Sequence, residues 1–238
     1  MKVLALIPAR NEADSLPAVI RSLRADQPDI DILVVDDESS DATAELPAAL
    51  GVEWLRLCEH LGVGGAIRAG LRYAALHGFD IVVRVDGDGQ HPASEIDRMI
   101  APLLMGGADA VVGSRFSGSA GYQTPPGIRR MGQRAVAAWV SAATGVRVTD
   151  ATSGFWAFGP RAIRLLATHH PTGYPEPELL LLLAHSGLRV TEVPIHMNKR
   201  LAGRTSRTAG RVGLACATTA LALLVAPFRR PEREASGG

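Results

Sequence analysis

The segment IVVRVDGDGQHP, residues 81–92, decides the fold class. Its first five residues, 81–85, predict a buried β-strand, and a polar cluster begins at Asp86, directly after it. The same order recurs three more times in the first half of the chain. PARNE follows residues 3–7, DDESSD follows residues 30–35, and GSRF follows residues 108–112.

Segments with helical spacing separate these strands. They are residues 15–24, 42–50, 63–77 and 94–105, with a further strand predicted at residues 52–57. Strands that alternate with helices predict an α/β fold, with a largely parallel sheet and helices on both faces. Such a sheet binds ligands at the carboxyl ends of its strands, so the four polar clusters should meet at one edge. This convergence favours an enzyme.

The second half of the chain continues the alternation with longer connections. The predicted elements are helices at residues 128–144, 162–167 and 177–185, an extended segment at residues 150–158, and a strand at residues 188–193. Residues 116–127 and 199–211 are predicted loops.

Composition excludes several classes of protein. The 238 residues are 47% hydrophobic and 21% charged, which excludes a mostly disordered chain. The net charge of +1 offers no global attraction for nucleic acid, so none is expected as a partner. Cys58 and Cys216 lie far apart, with neither metal-ligand spacing nor a disulfide framework, which is typical of a reducing compartment. The short apolar run at residues 3–8 is interpreted as a buried strand and not as a signal peptide, so we expect a cytoplasmic protein.

The cluster after residue 85 indicates a divalent cation. Asp86 and Asp88 are two residues apart, and Gly87 and Gly89 allow the backbone to curl around one hard ion such as Mg²⁺ or Mn²⁺. A βα turn that uses Asp and Gly for its geometry is the alternative interpretation.

Two other clusters are typical of nucleotide contacts. Asp36 and Asp37 end a strand, where a carboxylate can accept hydrogen bonds from a base or a ribose, although either could instead cap the next helix, as Asp41 does. The glycine-rich residues 61–66 could pack closely against a nucleotide or could simply begin a helix.

We expect different roles for the arginines and the histidines. Arg115 and Arg200, with Arg130, are expected to bind phosphate groups, since guanidinium forks suit phosphate; the alternative is a solvated surface position. His169 and His170 lie at a predicted helix end and are expected at the surface.

The C-terminal part is locally basic. Residues 193–231 contain seven Lys or Arg and no Asp or Glu, a pattern that favours an anionic neighbour. Within this stretch, residues 212–228 carry no charge. Their number is at the lower limit for a helix that spans a membrane. We expect an interfacial helix on an anionic membrane surface, or a helix docked on the domain.

Seven motifs occur in the order expected of family 2 glycosyltransferases: IPARNE, VVDDESSDAT, LGVGGAIRAG, VDGDGQHP, VGSRF, DATSGF and EVPIHMNKRLAGRTS. More closely, the chain resembles the polyprenyl-phosphate sugar synthases of the dolichol-phosphate mannose synthase-like branch. The segment GYPEPELLLLL resembles a bacterial subgroup that carries DGQHP with YPEPE. Members of that subgroup commonly resemble UDP-N-acetylhexosamine transferases and can work beside a small membrane protein. The family's mannose synthases often end the basic loop with a Ser-Lys pair, where this chain has Thr205-Ser206. This difference also argues against GDP-mannose as the donor.

The resemblance implies a GT-A fold and an inverting, metal-dependent transfer of a hexose or N-acetylhexosamine from a nucleotide-diphosphate sugar, UDP favoured over GDP, to a polyprenyl phosphate. It implies Mg²⁺ or Mn²⁺ as cofactor and a peripheral location at the cytoplasmic face of the membrane. It divides the chain into a glycosyltransferase domain at residues 1–211, with a nucleotide-sugar half (1–115) and an acceptor half (116–211), a helix at 212–228 and a flexible tail at 229–238.

The resemblance also assigns site residues. The nucleotide-binding positions are Pro8, Ala9, Arg10, Asn11, Glu12, Asp37, Gly65, Asp86 and Gly87. The metal positions are Asp86, Asp88 and Gln90. The catalytic positions are Asp88, Arg115 and Arg200. The acceptor-binding positions are Ser114, Arg115, Arg130, Asp150, Glu178 and Arg200.

Three alternatives stay open. The same fold could use a sugar or peptide hydroxyl as acceptor, with Glu178 or Asp150 as general base. A sugar-1-phosphate nucleotidyltransferase would want basic residues and glycines directly after the first strand, where this chain has PARNE. A non-catalytic nucleotide-sugar-binding subunit would not need Asp86, Asp88 and Gln90 together.

Overall fold

The computed structural model describes residues 1–116, 127–171, 175–198 and 200, and for residues 127–130 and 175 only the backbone. All of these residues belong to one compact unit, residues 1–203. Several predicted segments lie outside the described residues: the helix at 212–228, the tail at 229–238, Cys216, and the two predicted loops except for residues 116, 127 and 200.

Among the described residues, one seven-stranded sheet has the order β3-β2-β1-β4-β6-β5-β7. The strands are β1 (Val3–Ala9), β2 (Asp31–Asp36), β3 (Glu53–Arg56), β4 (Ile81–Arg84), β5 (Ala110–Ser114), β6 (Trp156–Phe158) and β7 (Val190–Pro194). β6 runs antiparallel to β4 and β5, and the other neighbouring strands pair in parallel. The largely parallel sheet is thus confirmed, while the predicted extended segment contributes only its last three residues to it.

The α-helices are α1 (Leu16–Asp26), α2 (Leu46–Ala49), α3 (Gly62–Leu76), α4 (Ile96–Leu104), α5 (Gly127–Thr144), α6 (Pro160–His169) and α7 (Pro175–His185). The helix predicted at 42–50 is wrong in detail, because the chain forms a 3₁₀ turn at Ala42–Ala44 and then the single turn α2. Pro47, which lacks a backbone N–H, lies in the first turn of α2, so no hydrogen bond from its nitrogen can continue the preceding turn.

The strands bury alternate side chains on two faces, as the period of two requires. Leu4 and Leu6 of β1 pack on the face that α3 and α6 cover, whereas Ala5 and Ile7 pack on the face that α1 and α4 cover. Gly70 allows α3 to approach β1 closely, since a Cβ there would lie 2.1 Å from Leu6 Cδ1. The prediction of helices on both faces is confirmed.

Three strand boundaries lie closer to the carboxyl edge of the sheet than predicted. β1 continues through Pro8 and Ala9, which were expected in the turn that follows. β5 begins two residues later than predicted and ends at Ser114. These residues are therefore strand residues at the carboxyl edge of the sheet, held by backbone hydrogen bonds. Within the described part of the chain, no helix combines the length and hydrophobicity of a membrane span.

The surface position expected for His170 is wrong. His169 is exposed, but His170 is 2% exposed, and its Nδ1 lies 2.8 Å from the carbonyl oxygen of Pro171. Burial, with the positive charge of Arg84 as a further cause, lowers the pKa of His170 to about 4. The ring is therefore buried and neutral at pH 7.

This burial predicts an acid-sensitive stability. Because the pKa is lower in the folded state than the ordinary value of 6.5, the contribution of His170 is complete above pH 6.5 and is lost as the pH falls toward 4. The loss should reach about 3 kcal/mol in the free energy of unfolding. Urea denaturation between pH 7.5 and 4 should show a weaker pH dependence for His170→Gln than for the wild type. His169→Gln is the matched control; an equal effect of both substitutions would contradict the assignment.

Candidate active site

Three of the four polar strand ends meet at the carboxyl edge of the sheet. The fourth, GSRF, lies at the end of β5, which runs in the same direction as β4 and ends at the same edge. Asp37 N donates to the carbonyl oxygen of Ala9 at 2.9 Å, which joins the ends of β2 and β1. A Cβ on Gly87 would lie 3.6 Å from the Pro8 carbonyl oxygen and 3.5 Å from Glu12 Cγ. The backbone after β4 therefore lies directly against the turn after β1, and the predicted convergence is confirmed.

Side-chain hydrogen bonds hold the turn after β1 to the turn after β2. Asn11 has a φ of 55°, in the left-handed region that Asn tolerates better than most residues. Its N–H donates to Ser39 Oγ at 3.0 Å, and Ser40 N donates to Asn11 Oδ1 at 2.9 Å. Glu12 N donates to Thr43 Oγ1 at 2.8 Å. Asn11 and Glu12 are thus held in a fixed turn.

Asp36 and Asp37 are both buried. Asp36 accepts a hydrogen bond from Ser39 N and lies 3.5 Å from Arg56 Nε. Asp37, 3% exposed, accepts a 2.7 Å hydrogen bond from Leu61 N on Oδ1, and its Oδ2 lies 2.7 Å from His60 Nδ1. Both oxygens of Asp37 are therefore oriented by protein groups.

His60 connects Asp37 to Arg10. Its Nε2 lies 3.1 Å from Arg10 Nη1. A guanidinium only donates, so Nε2 is the acceptor and Nδ1 carries the proton that is donated to Asp37. Sequence analysis missed His60, because no spacing in the chain marks it; only the fold brings it to Asp37.

Gly65 lies in the first turn of α3 and is buried. A Cβ on Gly65 would lie 2.4 Å from Leu61 Cβ, so the residue allows close packing at the start of the helix. These contacts support the interpretation of residues 61–66 as the start of a helix. A nucleotide contact of Gly65 stays a prediction.

Asp88, Gln90 and Arg200 lie together. Asp88 is 5% exposed, and its Oδ1 accepts a hydrogen bond from Gln90 N at 2.9 Å. Arg200 Nη2 lies 2.7 Å from Asp88 Oδ2 and 3.5 Å from Gln90 Oε1. A positive charge thus rests on side-chain oxygens of two of the three predicted metal positions.

Asp86 is held from several sides. Arg84 Nε donates to Asp86 Oδ1 at 3.0 Å, and Asp86 N donates to His91 Nδ1 at 3.0 Å. The His91 ring stacks on Phe155, with ring centroids 4.6 Å apart. Burial lowers the pKa of His91, which keeps Nδ1 available as an acceptor. Arg84 and His91 were not predicted, although His91 belongs to the DGQHP segment.

The negative charges of this edge act on one another. Burial raises the pKa of Glu12, and the neighbouring carboxylates of Asp88 and Asp86 raise it as well. A hydrogen bond from Ser15 Oγ, at 2.8 Å from Glu12 Oε2, and the charge of Arg200 oppose this rise. The edge therefore favours an added cation.

The donor set fits a hard divalent cation in its chemistry. Asp86, Asp88 and Gln90 offer carboxylate and amide oxygens, the ligand type of Mg²⁺ and Mn²⁺. The guanidinium of Arg200 is a cation already bound to Asp88 and Gln90 oxygens. In the described ranges, no group of three or more His, Cys, Asp or Glu could hold a metal, so Asp86 and Asp88 would need other oxygen ligands, such as the amide of Gln90.

Arg115 and Asp150, both predicted to bind the acceptor, form a bidentate ion pair. Arg115 Nε lies 2.6 Å from Asp150 Oδ2, and Nη2 lies 2.7 Å from Oδ1. Nη2 also donates to Thr152 Oγ1 at 2.9 Å. Asp150 is 1% exposed, whereas Arg115 borders the edge with its side chain 14% exposed.

The other predicted acceptor residues are less closely associated. Ser114 is buried, and its Oγ lies 2.9 Å from Thr149 Oγ1, which itself hydrogen-bonds Glu192. Glu178 is half-buried on α7. Arg130 lies in α5, and its side chain is outside the described part. An acceptor contact of each of these three residues stays a prediction.

A groove of about 360 Å³ opens beside the Arg115–Asp150 pair. Phe116, Ala137 and Val148 contribute to its lining, together with Gln133. Gln133 Nε2 donates to Thr152 Oγ1, the hydroxyl that also accepts from Arg115. The apolar lining of the groove suits the apolar body of a ligand, and the neighbouring Arg115 suits an anionic end.

The burial of Asp150 predicts its contribution to stability. Asp150→Asn should lower the free energy of unfolding by about 1.5–3 kcal/mol, because it weakens two charge-assisted hydrogen bonds of a largely buried pair. Asp80→Asn is the matched control, since its carboxylate is exposed and accepts a hydrogen bond from Lys2 N at 2.8 Å. That substitution should cost about 1 kcal/mol or less. Urea denaturation measures both; equal losses would contradict the assignment.

Comparison with known proteins places these residues in a family. Residues 5–164 match the model of Glycosyl transferase family 2. The chain is 34% identical over 221 residues to an undecaprenyl-phosphate mannosyltransferase of Micrococcus luteus, covering 90% of each chain. It is 30% identical over 209 residues to a UDP-N-acetylglucosamine–dolichyl-phosphate N-acetylglucosaminyltransferase of Methanococcus voltae, covering 80% of this chain and 83% of the relative.

The fold is similar to that of a glucosyl-3-phosphoglycerate synthase from Mycobacterium tuberculosis, solved with Mn²⁺, UDP and phosphoglyceric acid. The TM-score is 0.68 at 22% identity, over 97% of this chain and 80% of that chain. This likeness confirms the GT-A fold. The ordered motifs, the edge that gathers them and the family match agree, and the chain belongs to glycosyl transferase family 2.

Proposed function

We propose that the enzyme transfers a sugar from a nucleotide-diphosphate sugar to a polyprenyl phosphate, with inversion at the anomeric carbon. The observation that carries the proposal is the placement of Arg200 on Asp88 and Gln90 at the carboxyl edge, where oxygen ligands and an arginine meet. The relatives with 34% and 30% identity act on undecaprenyl and dolichyl phosphate by name, which supports the acceptor class.

Asp86, Asp88 and Gln90 would hold a Mg²⁺ or Mn²⁺ ion. When bound, the ion would act as a Lewis acid that stabilises the departing nucleoside diphosphate. Asp88 and Asp86 supply the negative charge that attracts it, and Arg200 must leave Asp88 Oδ2 to yield that oxygen. Once displaced, its guanidinium fork suits a phosphate group of the donor or the acceptor.

The donor's nucleoside would bind to the turn at residues 8–12 and to Asp37. The hydrogen bonds from Leu61 N and His60 keep the Asp37 carboxylate in one orientation, which is the preorganisation that selective binding requires. We favour UDP over GDP for two reasons. The YPEPE segment resembles a subgroup of UDP-N-acetylhexosamine transferases, and the relative from Methanococcus voltae uses UDP-N-acetylglucosamine by name. The sugar would be an N-acetylhexosamine or a hexose.

The acceptor needs little acid–base help. A phosphate monoester is anionic at neutral pH, so the catalytic task is positioning and charge stabilisation. Arg115 would hold the acceptor phosphate while one phosphate oxygen attacks the anomeric carbon. The bond from that carbon to the nucleoside diphosphate breaks, and the leaving group takes the electron pair. The apolar groove beside Phe116 would receive the first part of the lipid.

A hydroxyl acceptor is the second candidate, and it needs a general base. Asp150 is poorly suited, because Arg115 engages both of its oxygens in a buried pair. The other predicted base, Glu178, lies half-buried on α7. A steep dependence of the rate on pH near the pKa of a carboxylic acid would favour a hydroxyl acceptor over a phosphate.

Membrane contact belongs to the same proposal. We infer peripheral binding to the cytoplasmic face through the basic, acid-free residues 193–231, with anionic lipid as the partner. A small membrane protein could add a second contact, as in the subgroup that the YPEPE segment resembles.

The test is a product assay with UDP- and GDP-sugars, a short polyprenyl phosphate and Mn²⁺ or Mg²⁺, read by mass spectrometry. We expect one glycosyl phospholipid from one donor, abolished by EDTA. Asp88→Asn should lower kcat by about 100–1000-fold, the loss typical of one preorganised electrostatic contact. Asp80→Asn, at the opposite end of β4, is the control and should retain activity. Product formation that survives EDTA and Asp88→Asn would contradict the proposed mechanism.

A further inference from the structure

A buried arginine at the end of β4 links the two halves of the chain. Arg84 is 4% exposed, and a buried guanidinium requires charged or polar partners. Its Nε donates to Asp86 Oδ1 at 3.0 Å, while Nη1 lies 3.8 Å from Glu176 Oε1. Arg84 therefore stands between a carboxylate of the edge and a carboxylate of α7.

Glu176 is buried at the start of α7. It is 3% exposed and lies in the first turn of α7, where the helix dipole favours negative charge. Its side chain is more buried than that of Glu178, two residues later, which sequence analysis selected. The buried acid of the YPEPE segment thus faces Arg84.

Gly154 packs closely against one side of the ion pair of Arg84 and Asp86. A Cβ on Gly154 would lie 3.0 Å from Arg84 Nη2 and 3.1 Å from Asp86 Oδ2. On the other side of Asp86, the backbone N–H is fixed by His91. Arg84 and Asp86 therefore have little freedom to change their relative position unless the segment around Gly154 moves.

We propose that Arg84 and Glu176 are positioning residues that fix the ionised carboxylate of Asp86 for a divalent cation. This inference rests on the proposed metal site. Arg84 orients Asp86, and Glu176 balances the charge of Arg84, so that Asp86 retains enough negative charge to attract the cation. Residues that orient the ligands of a metal commonly change its affinity by about 10–100-fold.

The inference predicts weaker cation binding when Glu176 loses its charge. Glu176→Gln keeps the side-chain shape, but the charge of Arg84 then acts on Asp86 without compensation. The double variant Arg84→Gln with Glu176→Gln removes one positive and one negative charge together. It leaves the local net charge unchanged and removes the group that orients Asp86. Both variants should bind Mn²⁺ about ten-fold or more weakly.

Binding of Mn²⁺ to the full chain, without donor or acceptor, is measured by the electron paramagnetic resonance signal of free Mn²⁺. Glu53→Gln, an exposed charge on β3, is the matched control and should bind like the wild type. Circular dichroism shows whether each variant is folded. If Glu176→Gln is not folded, Arg84→Lys replaces it, since it keeps the charge, loses the fork and should weaken binding likewise.

Two outcomes overturn the inference alone. One is a folded Glu176→Gln or Arg84→Lys protein with wild-type Mn²⁺ affinity, when Asp88→Asn does weaken binding. The other is a double variant that regains wild-type affinity, because charge balance without positioning would then be enough. A wild-type protein that binds no Mn²⁺ would overturn the proposed metal site together with this inference.

Discussion

The concentration of negative charge at the carboxyl edge of the sheet is the constraint on which the site depends. Parallel strands bring Glu12, Asp37, Asp86 and Asp88 to one edge, and burial makes their charges costly unless they are compensated. Three of the four have a basic side-chain partner of their own: His60 donates to Asp37, Arg84 donates to Asp86, and Arg200 pairs with Asp88. In the proposed function, this edge would bind a cation and an anionic ligand together.

These compensating groups come from distant parts of the chain. Arg200 follows β7 and reaches Asp88 in the segment after β4, and Glu176 lies on α7 and reaches Arg84 at the end of β4. The Arg115–Asp150 pair joins β5 to the segment before β6 in the same way. The half of the chain expected to bind the nucleotide sugar and the half expected to bind the acceptor therefore share buried ion pairs, which couples the geometry of one to that of the other.

Much of this could be predicted from sequence, because it depends on local pattern and on topology. Apolar runs followed by polar clusters located the strand ends, and the parallel sheet required them to meet. The pairing of Arg84 with Glu176 and of His60 with Asp37 could not be predicted, since each depends on which distant side chains the fold brings together. The burial of His170 was missed for the same reason, since the exposure of a residue at a helix end depends on what the fold places beside it. The antiparallel β6 was missed because a three-residue strand carries too short a pattern to show its direction.

A crystal structure of the protein with Mn²⁺ and UDP, examined for the anomalous signal of manganese, tests whether this edge holds the cation. We expect a manganese peak bound to oxygens of Asp88 and Gln90, with the guanidinium of Arg200 displaced from Asp88. A structure with UDP bound, no manganese at these oxygens and Arg200 still on Asp88 would contradict the account.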